Sequence, residues 1–482
     1  MRALSKASNA DRRTTVFAAI AAIAAATFLG AFAGQVGPIA FAAGVGLIAF
    51  LPVFSHVRWV GWKRAITEPT PATVILLFYV ATFPQRALVI TLDEHQYVQF
   101  VPGPVDAGQL VDVLVLGAVL TAVIVEAFHF ASRGSRPPRA SETSPPGNPR
   151  NLIMFAVGIQ VVALVSLLGI VRDNGGISGT IATFGSHDKE LFAGAASLWL
   201  SLWSTFGIPS IWAAAAIVSR RDVVHSTKVV TLALTLGIVV GYLYLFGNRL
   251  HVILGLVGAW AIWYFAGRRV PVSLVVAAVA AMVLVSIPIL HARSGSDTRV
   301  PEHSRLSTLV GYSIMDISLA IHQRPERIRE QMRDPDRWVE LPGFLIPLWP
   351  STADFNSLRS DAMTAREFGA PNQQTTGFPP TFITEGWLLF GLLGAALWAA
   401  LFGAVTGLLH KHLVGRQRPS SAQLLWYALV VSMAFTYYKD GDTFGATVSI
   451  WRTVMYVGIA MLITGVWAPR SLLGRRPASG TA

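Results

Sequence analysis

The chain has 482 residues, of which 53% are hydrophobic and 13% charged, with a mean hydropathy of +0.53. A soluble chain carries about 25% charge, so this composition excludes an ordinary soluble domain and indicates a polytopic membrane protein. The formal net charge of +12 is therefore not read as a nucleic-acid footprint, and the absence of cysteine excludes disulfides, thiolate metal sites and cysteine nucleophiles.

A membrane-crossing helix needs roughly 20 mostly apolar residues. Twelve segments qualify: 15–34, 37–54, 72–91, 108–130, 151–171, 191–218, 229–246, 250–267, 270–290, 382–409, 422–438 and 448–466. The first has a basic lead, "DRR", and an end, "AFAG", like that of a cleavable signal peptide. Its apolar run is long for one, and it is read as an uncleaved anchor. Residues 1–130 thus hold spans one to four. The stretch 131–150, "ASRGSRPPRASETSPPGNPR", is rich in Pro, Ser and Arg and is expected to be a disordered cytoplasmic linker. Spans five to nine occupy 151–290, a large loop occupies 291–381, and spans ten to twelve with a cytoplasmic tail occupy 382–482.

The basic residues fix an orientation. One alternating set of gaps holds 22 Lys and Arg, while the other short gaps hold only Arg172, Lys189, Arg249 and Lys439. This is the positive-inside pattern, with both termini in the cytoplasm of a multi-pass cytoplasmic (inner) membrane protein. Most of the positive charge then faces anionic head groups of membrane lipids. The same alternation puts 291–381 outside. That loop carries ten Arg, no Lys and eleven acidic residues. Within it, "RLSTLVGYSIMDISLAIHQ" has helix-spaced apolar residues at Leu306, Leu309, Val310, Ile314, Ile317 and Ile321, opposite Ser307, Thr308, Gly311, Asp316 and Ser318. It reads as an amphipathic helix packed on the span ends or lying in the interface. "RPERIREQMRDPDRW" reads as a solvated, densely charged helix or turn.

Ionisable residues inside apolar spans are costly and mark candidate sites. Arg86, in "YVATFPQRALVI", lies near the outer end of span three. Arg249, in "FGNRLH", lies at the outer turn between spans seven and eight, and Arg452 near the outer end of span twelve. Arg293, Arg299 and Arg305 follow span nine. Each one alone is explained by snorkelling to the head groups. As a set on one face they suit a phosphate or diphosphate, because guanidinium pairs phosphate oxygens bidentately and keeps its charge. The acid–base candidates are His251, His291 and Glu385, with His303 beside them. No P-loop, HExxH or GxSxG motif is present.

The segment "GFPPTFITEGWLLFGLLGAALWAALFGAVTGLLH" (Gly377–His410) resembles the late span of O-antigen polymerases, the oligosaccharide repeat-unit polymerases of the Wzy type. The likeness rests on Pro379–Thr381, Glu385, Phe390–Gly391 and Gly394, on Gly247 and Arg249 of "FGNRLHVILGL", and on "LIPLWPST". The family's loose Arg-x10-Gly pattern can be drawn from Arg366 to Gly377. The likeness covers the chain from about Gly241 onward. The family usually shows two basic external loops, and here the earlier one, 172–190, holds only Arg172 and Lys189.

The resemblance implies an all-α protein with a large external loop between helices nine and ten and a glycosyltransferase-C-like helical core. It implies a metal-independent transferase that needs no cofactor. This enzyme joins polyprenyl-diphosphate-linked oligosaccharides on the outer face of the membrane. A chain-length regulator and a flippase of the same pathway are the partners that go with such an enzyme. For the diphosphate leaving group, fixed positive donors are needed where charge develops. Arg249 and Arg293 are the first candidates, with Arg86, Arg305 and Arg366 behind them. His251, His291 and Glu385 compete as base. "LDEH" (Leu92–His95) is similar to the metal- or acceptor-binding acids of other membrane glycosyltransferases, and ordinary solvated loop residues explain it as well. Two rivals remain: an O-antigen ligase-like or other lipid-carrier-dependent transferase, and a twelve-span transporter of lipid-linked glycans. A transporter should show internal repeats, and none is visible.

Overall fold

The computed structural model describes residues 21–22, 24–25, 29, 38–92, 105–135, 145–185, 197–246, 249–268, 314–345, 359–367, 380–415 and 419–467. Every regular element among them is a helix. Seven of these helices are long and apolar enough to cross a membrane: Ala40–Val60, Pro71–Thr91, Ala107–Ala131, Pro149–Asp173, His225–Leu243, Phe382–Leu413 and Thr443–Ile463. Three more, Ser197–Ser219, Arg249–Phe265 and Ser421–Asp440, pack among them. Of the twelve apolar segments expected from sequence, ten thus coincide with described helices, while 270–290 and most of 15–34 lie outside the described residues.

The helix pairs form where small residues let backbones approach. The most extensive contact joins Ala107–Ala131 to Phe382–Leu413. A Cβ on Gly403 would sit 2.2 Å from the Ile124 carbonyl oxygen, and one on Gly407 2.4 Å from that of Phe128. Between apolar helices in lipid, packing of this kind replaces the hydrophobic drive that water would supply. Outward faces carry Leu393, Leu397 and Leu401 on one helix, and Leu232 and Leu236 on another, all exposed. Such apolar exposure suits hydrocarbon and not water.

Two polar networks sit at opposite ends of this bundle. At one end His56 Nδ1 meets His129 Nε2 at 2.8 Å, and His56 Nε2 meets Thr73 Oγ1 at 3.1 Å. His410 Nδ1 lies 2.7 Å from the Tyr427 hydroxyl. At the same end buried Arg220 donates to Asp222, to Ser421 Oγ and to the Gly147 carbonyl. The Ser421 amide donates to the Pro146 carbonyl at 3.2 Å. The described end of the stretch read as a linker, residues 145–150, thus touches the bundle. Its last residues are docked, because a buried arginine needs acceptors that the chain turn at Pro146–Gly147 provides.

At the other end, the loop expected over 291–381 contributes five described helices: Ile314–Gln323, Pro325–Arg333, Pro335–Val339, Leu341–Leu345 and Ser360–Glu367. The first of them is more deeply set than its amphipathic pattern suggests. Met315 through Ile321 are all buried, polar positions included. Its polar face meets the bundle: Asp316 pairs with Arg86, and Ser318 accepts from Thr384 at 3.0 Å.

Candidate functional site

The site begins with a sharp turn. Helix Ser421–Asp440 ends at Gly441, which adopts φ 54, and the next helix starts at Thr443. A Cβ on Gly441 would lie 1.9 Å from the Pro380 carbonyl oxygen, so the turn demands glycine by conformation and by space. The turn delivers Asp442 and Thr443 beside the start of helix Phe382–Leu413. That start is fixed by Thr381, whose hydroxyl accepts from the Thr384 amide at 3.1 Å. One turn in, Glu385 is fully buried.

Four charges close on one another here. Glu385 accepts from the Ser360 hydroxyl at 2.6 Å and from the Thr443 amide at 3.0 Å, and it also accepts from the Thr443 hydroxyl. Arg337 donates to Ser360 Oγ at 2.6 Å and lies 4.0 Å from Glu385 and 3.7 Å from Asp442. Arg359 pairs with Asp442 at 3.0 Å, and the Ser360 amide donates to Asp442 at 3.1 Å. Two guanidinium groups thus balance two carboxylates. The Arg337 guanidinium is 1% exposed and lies over the rings of Trp338 and Phe444 at 5.0 and 5.6 Å. Removing such charges from water is tolerable only because each is paired and hydrogen-bonded.

Next to this network lies a cavity of about 430 Å³, lined by Arg333, Trp338, Leu389, Phe390, Trp398 and Thr443. Its wall is shaped by a break in the helix. Gly391 has φ 68 and ψ −174, a conformation that essentially only glycine adopts. Arg333 Nε takes up the Leu389 carbonyl beside the break, at 2.9 Å. Gly391→Ala should cost about 1–3 kcal/mol of stability through backbone strain alone. Gly237→Ala is the control, because it sits in a helix with nothing within 4 Å of its Cβ, and it should be neutral or slightly stabilising. Thermal unfolding of the two purified variants checks this, and equal melting temperatures would refute it.

Comparison of the chain with protein-family models, with curated proteins and with solved structures finds no match.

The candidates expected from sequence fall into three groups. Glu385 lies at the centre of the charged network. Arg86 is buried and forms a two-pronged pair with Asp316, Nε and Nη2 each donating at 2.8 Å. Arg249 and His251 lie in the first turn of helix Arg249–Phe265, and Arg366 lies on the same short helix as Ser360; the side chains of all three are outside the described residues. His291, Arg293 and Arg305 are outside the described residues altogether, as is His303. Arg452 is half-buried on helix Thr443–Ile463.

Sequence reading missed Arg337, Arg359, Ser360, Asp442 and Thr443. Arg337 was hidden in a segment of five arginines that reads as solvated. Asp442 had a usable signal: "KDGDTFG" places two aspartates around a glycine in a short gap between apolar spans, the setting of a tight turn with a charge to place.

Proposed function

We propose that this chain is a membrane glycosyltransferase that polymerises oligosaccharide repeat units carried on polyprenyl diphosphate. In this reading the reaction takes place at the loop end of the bundle, on the outer face of the cytoplasmic membrane. The observation that carries the reading is the joint between loop and bundle. Arg337, Arg359 and Ser360 from the loop meet Glu385 and Asp442 from the helices, and an aromatic-walled cavity opens beside them. A buried charged network where the loop meets the end of an apolar bundle suits an amphiphile whose polar group reacts at the interface. The exposed apolar face at Leu393, Leu397 and Leu401 continues from the same helix break and suits a hydrocarbon carrier.

Thr443 lines the cavity, donates to Glu385 and accepts from the Tyr437 hydroxyl at 2.9 Å. Its oxygen retains one lone pair for a hydroxyl group in the cavity. Glu385 touches no open space, so it acts on an acceptor hydroxyl through Thr443 and serves as a positioning residue. Arg249, Arg293, Arg305 and Arg366 are assigned to the departing diphosphate, whose charge grows in the transition state. Arg86, whose fork is filled by Asp316, is assigned to holding the loop helix Ile314–Gln323 on the bundle.

The test is reconstitution of the purified chain with a polyprenyl-diphosphate oligosaccharide in the presence of EDTA. The expected result is a ladder of longer lipid-linked glycans. Transfer to a different acceptor without elongation would identify a ligase. No transfer to any acceptor, or transfer that requires a divalent ion, would overturn the proposal.

A further inference from the structure

Among the described residues that line the cavity beside Gly391, Arg333 alone carries charge. Its Nε is committed to the Leu389 carbonyl, which fixes the plane of the guanidinium at the cavity wall. The nearby carboxylates Asp442 and Glu385 are engaged by Arg359, Arg337, Ser360 and Thr443. Among the described residues no carboxylate pairs with Arg333, which is exposed. The rest of the wall is Trp338, Leu389, Phe390 and Trp398, with Thr443, a member of the charged network, beside them.

We infer that this cavity is a binding subsite for an acidic sugar ring, with the ring faces against Trp338 and Trp398 and a ring carboxylate on the free edge of Arg333. The inference rests on the transferase reading for the choice of a carbohydrate and goes beyond it in naming the sugar class. A pyranose ring has C–H-rich faces that lie well on indole, while its edge hydroxyls need a polar group such as Thr443 Oγ. A diphosphate has no apolar face for three aromatic walls. It also carries more charge than one guanidinium with a committed Nε can balance, whereas one carboxylate matches one such edge. The volume lies within the range of small-molecule sites, about 300–1,000 Å³.

The experiment uses the purified full chain in lipid nanodiscs, read by tryptophan fluorescence and ligand-observed NMR. The probes are a tetrasaccharide of alternating glucuronic acid and N-acetylglucosamine, the neutral N-acetylglucosamine tetramer, and inorganic diphosphate. The acidic tetrasaccharide should bind about tenfold more tightly than the neutral one, as a charge-assisted hydrogen bond implies. Arg333→Gln should remove that preference and leave neutral binding unchanged, and Arg333→Lys should keep most of it. Equal binding of the two sugars, no binding of either, or a preference unaffected by Arg333→Gln would overturn the inference. So would diphosphate binding that exceeds sugar binding and is lost in Arg333→Gln. A preference carried by Arg333 without any elongation activity would remove the transferase reading and leave the subsite. Elongation with a preference indifferent to Arg333 would remove the subsite alone.

Discussion

Arg337→Met should lower stability by about 3–5 kcal/mol and release the loop helices from the bundle, because it strands buried carboxylates without their cation. Arg337 is the shared partner of Ser360, Glu385 and Asp442, and all four are buried. Without it, Arg359 alone faces two carboxylates, and Arg359 is itself over a third exposed. Methionine fills part of the space between Trp338 and Phe444, so the loss comes mainly from charge. Adding Glu385→Gln restores the balance of one cation to one anion. The double variant should therefore regain part of the loss, with a coupling of about 0.5–3 kcal/mol between the two positions. Thermal unfolding of the four proteins measures the cycle, and limited proteolysis within the helices between 325 and 367 reports the release of the loop. Additive losses, or an unchanged cleavage pattern in Arg337→Met, would show that the loop is held by apolar contacts alone. Those contacts exist: Ile328 and Met332 pack on Met363, Leu388 and Leu389.

The contrast between Glu385 and Arg337 shows where sequence reading reaches its limit. Long apolar runs announce themselves because lipid permits few other structures, so ten long helices between 38 and 463 were legible to within about six residues at either end, while the short helices Trp62–Thr67 and Ile177–Gly185 were not. A charge inside such a run is equally conspicuous, and both Arg86 and Glu385 were found that way. Arg337 is as buried as either, yet its surroundings in sequence are Asp334, Asp336 and Glu340, the company of a surface helix. Its burial comes from Ile328 and Met332 packing one helix against the bundle, and from Ser360, twenty-three residues later, closing over it. Neither contact has a local pattern. Gly441 lies between the two kinds of case. Its glycine and flanking aspartates signal a turn, but the close approach of Pro380 that requires it comes from a segment sixty residues earlier.

Arg86 gives the largest functional contrast. Arg86→Leu alone should destabilise the protein by about 3–5 kcal/mol, because Asp316 would be left charged and buried between helices Pro71–Leu92 and Ile314–Gln323. Asp316→Leu alone should cost a similar amount for the mirror reason. The double variant replaces a buried ion pair by apolar groups, a change that is often neutral or stabilising. It should melt near the wild-type temperature. The two readings of Arg86 then part. If its role is to seat the loop helix, the double variant should keep close to the wild-type rate of the proposed elongation of lipid-linked glycan. If its guanidinium holds the substrate diphosphate, the double variant should fold and be inactive, by an amount set by the lost transition-state charge. The two-pronged geometry, with Nε and Nη2 both at 2.8 Å from the same carboxylate, favours the first outcome. A phosphate would have to displace a partner that is already matched in shape and charge, and that displacement would take the buried Asp316 carboxylate from its arginine. A stable but inactive double variant would reverse this assignment and put Arg86 back among the diphosphate ligands.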